Sequence, residues 1–112
     1  MRHIIAILLQ NEAGALTRVA GLFSTRNFNI ESLSVAATDN PTVSRITLVT
    51  RGSEAVLQQI ANQLLKLIDV AAVEDLTDGE HIERELALLK LRVAPQDSDA
   101  VRGYVVRAGG RV

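Results

Sequence analysis

Residues 9–16 read Leu-Gln-Asn-Glu-Ala-Gly-Ala-Leu and bring together groups able to hold a small carboxylate. Asn11 carries an amide that both donates and accepts, and Gly14 lets backbone N–H groups approach a ligand with no Cβ in the way. A helix starting there would add unpaired N–H groups and a dipole, both of which favour an anion. Taken alone, the stretch reads first as an ordinary strand-to-helix turn in which Asn and Gly serve as turn formers.

Other groupings offer less. His81 stands among Glu80, Glu83 and Glu85 in a charged stretch, where a metal would need several ligands converging on one point and solvated charges are the simpler reading. His3 falls at a strand end. Ser24, Ser32 and Ser34 have no histidine at a suggestive position. Gly14 and Gly21 stand apart from one another and form no phosphate-binding pattern. No catalytic residue and no metal site is therefore expected.

The chain has 112 residues, 47% of them hydrophobic, enough for one compact domain or one domain plus part of another, and too short for two full ones. Twelve basic against thirteen acidic residues give a net charge of -1, with no electrostatic footprint for nucleic acid or an anionic membrane. Absence of cysteine excludes disulfides and thiolate chemistry and fits the cytoplasm. The apolar run after Met1 is cut off by Gln10, too early for a signal peptide or a bilayer span.

Several elements must position the loop. Residues 3–9 are apolar on both faces and β-branched, which predicts a central strand. Leu16, Val19, Ala20 and Phe23 then recur at helical spacing, and Asn27 is placed to close the helix in the left-handed conformation. Gly21 within that helix suggests close packing against a neighbour. Residues 29–37 alternate as a half-buried strand with Leu33, Val35 and Ala37 on one face. Turn formers at 38–42 lead into a β-branched strand at 43–51, completing a hairpin. Ser53 is a candidate N-cap for a second amphipathic helix marked by Leu57, Ile60, Ala61, Leu64 and Ile68, and residues 70–77 read as a fourth strand.

That order, βαββαβ, is two split βαβ units, an α+β ferredoxin-like domain over residues 1–77. Residues 78–85 form a charged connector. From 86 to 112 a further strand, ended by Pro95, and a helix capped near Asp97 and stopped by Gly109 and Gly110 would open a second, truncated α+β domain.

The fold hosts many functions. RNA recognition needs aromatics on the sheet, whereas Phe23, Phe28 and Tyr104 all lie outside the first and third strands. A phosphate-cleaving enzyme would want an arginine in the first loop, and Arg18 lies about a turn into the helix. A binding module remains.

The motifs at 11–19 (Asn-Glu-Ala-Gly-Ala-Leu-Thr-Arg-Val), 21–24 (Gly-Leu-Phe-Ser), 29–33 (Asn-Ile-Glu-Ser-Leu) and 81–86 (His-Ile-Glu-Arg-Glu-Leu) occur in that order, and together they resemble the small regulatory subunits of acetohydroxyacid (acetolactate) synthase. The first part resembles an ACT domain, an amino-acid sensor. Asn27 stands where that family often has glycine, and the sequence stops where the family would continue its C-terminal domain. The resemblance implies a noncatalytic subunit that activates the catalytic large subunit and confers feedback inhibition by valine, with leucine or isoleucine as alternatives. It implies a homodimer of ACT domains with the effector between them, held by Asn11, Gly14, Ala15 and Leu16 of one chain and Asn29 and Ile30 of the other. Leu9, Leu16 and Ile30 would supply an apolar wall. No cofactor is expected in this chain; thiamine diphosphate, Mg and FAD would sit in the catalytic partner. A stand-alone amino-acid sensor and a structural dimerisation domain are the alternatives.

Overall fold

Ile4, Ile5, Ala6 and Ile7 are buried in succession, as the run apolar on both faces predicts for a strand in mid-sheet. The computed structural model describes residues 1–112, which fall into two units, Met1–Ile82 and Glu83–Val112. In the first, β1 (Arg2–Gln10), α1 (Ala15–Thr25), β2 (Ile30–Ala37), β3 (Val43–Arg51), α2 (Glu54–Leu64) and β4 (Val70–Asp75) follow in the expected βαββαβ order. The strands form one antiparallel sheet in the order β2-β3-β1-β4, the ferredoxin-like arrangement. Ile5, Ile7 and Leu9 of β1 and Ile46 and Leu48 of β3 face Ala15, Val19 and Phe23 of α1 and Ile60 and Leu64 of α2 in a single core.

Local chemistry sets the helix ends. The hydroxyl of Ser53 accepts from the Val56 N–H and starts α2. Asn27 takes φ 58°, the Phe28 N–H donates to the Phe23 carbonyl at 2.9 Å, and the Asn27 N–H donates to the Ser24 carbonyl at 3.2 Å. This is a Schellman closure, and its customary apolar contact is the edge-to-face pair of Phe23 and Phe28, 6.1 Å between ring centres.

Several expectations change. The buried stripe of α1 runs through Ala15, Val19 and Phe23, while Leu16 and Ala20 are exposed. A Cβ at Gly21 would meet nothing within 4 Å, so packing within the chain does not require that glycine. Helix α2 ends at Leu64, which leaves Ile68 in solvent. Strand β2 is not half-buried: it is one of the two edge strands, and Leu33 and Val35 remain 37% and 44% exposed although they share a face with the core residues they pair with, Leu48 and Ile46.

In the second unit a 3-10 turn at Pro95–Asp97 leads into α3 (Ser98–Arg107), which Gly109 and Gly110 close by donating to Val106 and Val105. Asp97 occupies the N-cap position, but its side chain makes no capping bond. The strand expected over residues 86–93 does not form. No strand pairs with that run to take its backbone N–H and C=O groups, and Leu86 and Leu88 are exposed.

The Schellman closure supports a prediction. Asn27→Gly should hold or raise stability by a few tenths of a kcal/mol, because glycine takes the left-handed conformation without a Cβ clash, while Asn27→Val should lower it by ~1–2 kcal/mol. Urea unfolding of the three proteins checks this; equal midpoints for Val and Gly would show that φ at residue 27 is not a constraint.

Candidate functional site

The loop between β1 and α1 is held from both sides. The Gln10 N–H donates to the Asp69 carbonyl just before β4, and the Asn11 N–H donates to the Thr42 carbonyl in the β2–β3 turn, each at 2.8 Å. That turn is itself fixed by Asn40, whose side-chain oxygen accepts from the Thr42 N–H and hydroxyl. Asn11 Nδ2 then donates to the Pro41 carbonyl at 3.1 Å, so the amide is oriented and its Oδ1 is left for a donor from outside. Sequence reasoning supplied the amide, and the structure supplies its orientation.

Gly14 is the N-cap of α1 with φ 84°, a left-handed conformation that residues with a Cβ rarely adopt. The carbonyl of Gly14 accepts from the Arg18 N–H, closing the first helical turn. The Ala15 N–H is already used, donating to the Glu12 carbonyl at 3.2 Å, while those of Gly14 and Leu16 donate to no backbone carbonyl. No side chain caps α1 and no acidic residue lies in its first turn, whereas α2 has Ser53 and Glu54 in those places. The exposed start of α1 thus carries uncompensated donor groups and the positive end of its dipole.

Beneath the loop lies an ion pair absent from the sequence-derived site. Arg18 reaches back from α1 and grips Asp69 with two bonds, Nε to Oδ2 and Nη2 to Oδ1, the latter 3.0 Å. Asp69 is 3% exposed and Arg18 46%, so a buried carboxylate is matched by a guanidinium whose other side faces solvent. The hydrogen bond from Arg18 holds the Asp69 carboxyl below its ordinary range against the opposing effect of desolvation, and the same bond raises Arg18. A Cβ at Gly14 would lie 2.9 Å from Arg18 Nη1. Gly14, Arg18 and Asp69 are therefore one unit: the arginine counted as lying a turn into the helix returns to the loop. The only signal for Asp69 in the sequence is a lone acidic residue between Ile68 and Val70, just before the fourth strand.

The other expected residues are elsewhere. Ile30 pairs with Thr50, and Thr50 with His3, at the start of β1; the loop follows Gln10, which pairs with Val43. Seven residues along a strand separate the two ends by about 23 Å. Asn29 and Ile30 cannot complete the site of their own loop. Leu9 is 2% exposed within the core, so it offers no wall to a ligand, while Leu16 is 43% exposed.

Comparison with known proteins adds to this geometry. Residues 5–72 match the AHAS small subunit-like ACT domain. The acetolactate synthase isozyme 3 small subunit of Escherichia coli strain K12 is 54% identical over 91% of this chain, which spans 63% of that relative's length. The crystal structure of the acetolactate synthase small subunit from Thermotoga maritima superposes with a TM-score of 0.64 at 33% identity, covering 67% of this chain and 47% of that one. The ACT domain from GTP pyrophosphokinase of Chlorobium tepidum, with a TM-score of 0.61 at 22% identity over 77% of this chain and 97% of that one, shares the fold.

The ion pair makes a pH prediction. The folded carboxyl of Asp69 lies below its ordinary value of 3.8, so its contribution to stability is complete above that value and is lost as pH falls through the lower folded one. Asp69→Asn should therefore be less stable than the parent at neutral pH, and the gap should close below about pH 4. Urea midpoints across pH 2 to 7 test this; a gap that persists undiminished at the acid end would contradict it.

Proposed function

This chain belongs to the family of AHAS small subunit-like ACT domains, and on that basis we propose that it is a regulatory subunit of acetolactate synthase in branched-chain amino-acid biosynthesis. It catalyses no step itself. It activates the catalytic large subunit and makes it respond to valine; thiamine diphosphate, Mg and FAD belong to that partner. Two copies pair through their ACT domains, and the effector lies between them.

The observation that carries this reading is the separation of Asn29 and Ile30 from the loop at the other end of the sheet. A two-fold axis aligns an edge strand antiparallel to its own copy. Pairing along β2, whose outer edge is open and whose Leu33 and Val35 are exposed, would set the loop end of one chain beside the Ile30 end of the other. The two halves of the site then meet.

Chemistry supports the ligand class. The α-carboxylate lies at the start of α1 on the N–H groups of Gly14 and Leu16, with the Arg18 guanidinium nearby. The ammonium takes the open Oδ1 of Asn11 as one acceptor. An aliphatic side chain packs between Leu16 and Ile30 of the second copy. Valine, leucine and isoleucine differ by a methylene or its position, which changes affinity only about 10- to 200-fold, so calorimetry with all three ranks them. The exposed edge of β2 also favours a second reading, a dimerisation domain with the loop empty.

A mixing experiment separates the two. Asn11→Ala and Asn29→Ala should each abolish valine binding in their own dimers, because both sites lose one partner. After the two variants are mixed and allowed to exchange, half the dimers are hybrids and each hybrid holds one intact site, so about a quarter of the parent's sites should return. Calorimetry reads the stoichiometry. No recovery, or undiminished binding by either variant alone, would refute a site shared between chains. If the sites return, adding the parent chain to the catalytic subunit should raise acetolactate formation, and valine should lower it.

A further inference from the structure

A cleft of about 300 Å³ opens at the far end of the sheet from the β1–α1 loop, between the first turns of α2 and the paired ends of β1 and β4. His3 forms part of its wall and is 1% exposed. Its Nε2 lies 3.0 Å from the Gly52 carbonyl, which can only accept, so that nitrogen carries a proton. In the neutral ring Nδ1 is then an acceptor, and it is the one buried side-chain polar atom without a partner. Buried polar groups are rarely left so.

The remaining polar lining is of the same kind. Glu54, Asp75 and Asp78 are the acids of the lining, and Asp75 Oδ1 already accepts from the Thr77 N–H and hydroxyl, which leaves its other oxygen. The amide nitrogen of Gln58 is turned to the Asn62 side chain at 3.1 Å, which leaves its oxygen. Neither lysine nor arginine lines the cleft, and Ile5, Leu57 and Val73 form its apolar wall. Acceptors of negative or partial negative charge over an aliphatic surface call for a ligand that is all donor at one end and hydrocarbon at the other.

We propose that this cleft binds the ammonium head and aliphatic stem of a primary amine, as a site separate from the one at the loop. An α-carboxylate is excluded by the three acids, so amino acids that suit the start of α1 do not suit this cleft. The head is supplied either by a free alkylamine or by a lysine side chain, which present the same chemistry.

The test is titration of the 15N-labelled full chain with n-butylammonium chloride, followed by amide chemical shifts. Saturable shifts at Glu54, Leu57, Gln58, Val73 and Asp75 are expected, with none from n-butanol, from sodium chloride at matched ionic strength or from valine. Asp78→Asn, at an exposed position, should weaken binding about fivefold, the effect of one charge contact near 4 Å in water. His3→Phe, which keeps the ring and removes the acceptor, should weaken it further. Nα-acetyl-lysine N-methylamide distinguishes the sources: tighter binding than butylammonium supports the pocket and assigns it to a lysine side chain, and weaker binding supports it as a site for a free amine. Absence of saturable shifts, equal shifts with butanol, or parental affinity in Asp78→Asn would overturn the proposal.

Discussion

Strand β1 has a partner along both edges and buried side chains through Ile4, Ile5, Ala6 and Ile7, so neither its register nor its direction can change without unpairing the sheet. Its direction decides where chemistry can occur. The end at Gln10 delivers the loop and the start of α1, and the end at His3 meets the start of α2 and the tail of β4. Since β3 runs antiparallel beside it and β2 runs antiparallel beside β3, β2 takes the direction of β1, and Asn29 and Ile30 are carried to the His3 end. A site that needs both the loop and those two residues has to be shared between chains.

Around the loop, conformation and charge are coupled. Gly14 takes a positive φ so that the chain can turn from strand into helix, and the lack of a Cβ leaves room for the Arg18 guanidinium. Asp69 in turn holds that guanidinium with its carboxylate and the end of β1 with its backbone carbonyl. A substitution at any of the three acts on the others, so loss of ligand binding at Gly14 would not by itself distinguish a blocked site from a displaced arginine. Exposed Asn11 and Asn29 are cleaner probes.

What could be read from the sequence was what is local. The cap at Ser53, the left-handed closure at Asn27 and the order of strands and helices depend on residues a few positions apart, and the structure has each of them. Burial was harder. A strand apolar on both faces carries no sign of which parity meets the helices, so Leu9 was expected at a ligand wall and lies in the core. The stripe of α1 shifted by one residue to include Ala15, and the alternation in β2 gave no hint that the strand lies at the sheet's edge. Asp69 lies 51 residues from Arg18, and no spacing rule pairs them. The apolar run at 86–93 has strand composition, but a strand needs a neighbour, which the pattern of one segment cannot supply.

If the effector bridges two chains, its binding and dimerisation are linked: valine must tighten the dimer, and dilution must weaken valine binding. The direct measurement is valine affinity at chain concentrations above and below the dimer dissociation constant, with that constant obtained by sedimentation in the presence and absence of valine. The account predicts an apparent affinity that falls as the dimer dissociates, together with a dimer stabilised by valine. Valine affinity independent of chain concentration, in a protein that sedimentation shows passing from dimer to monomer, would contradict it.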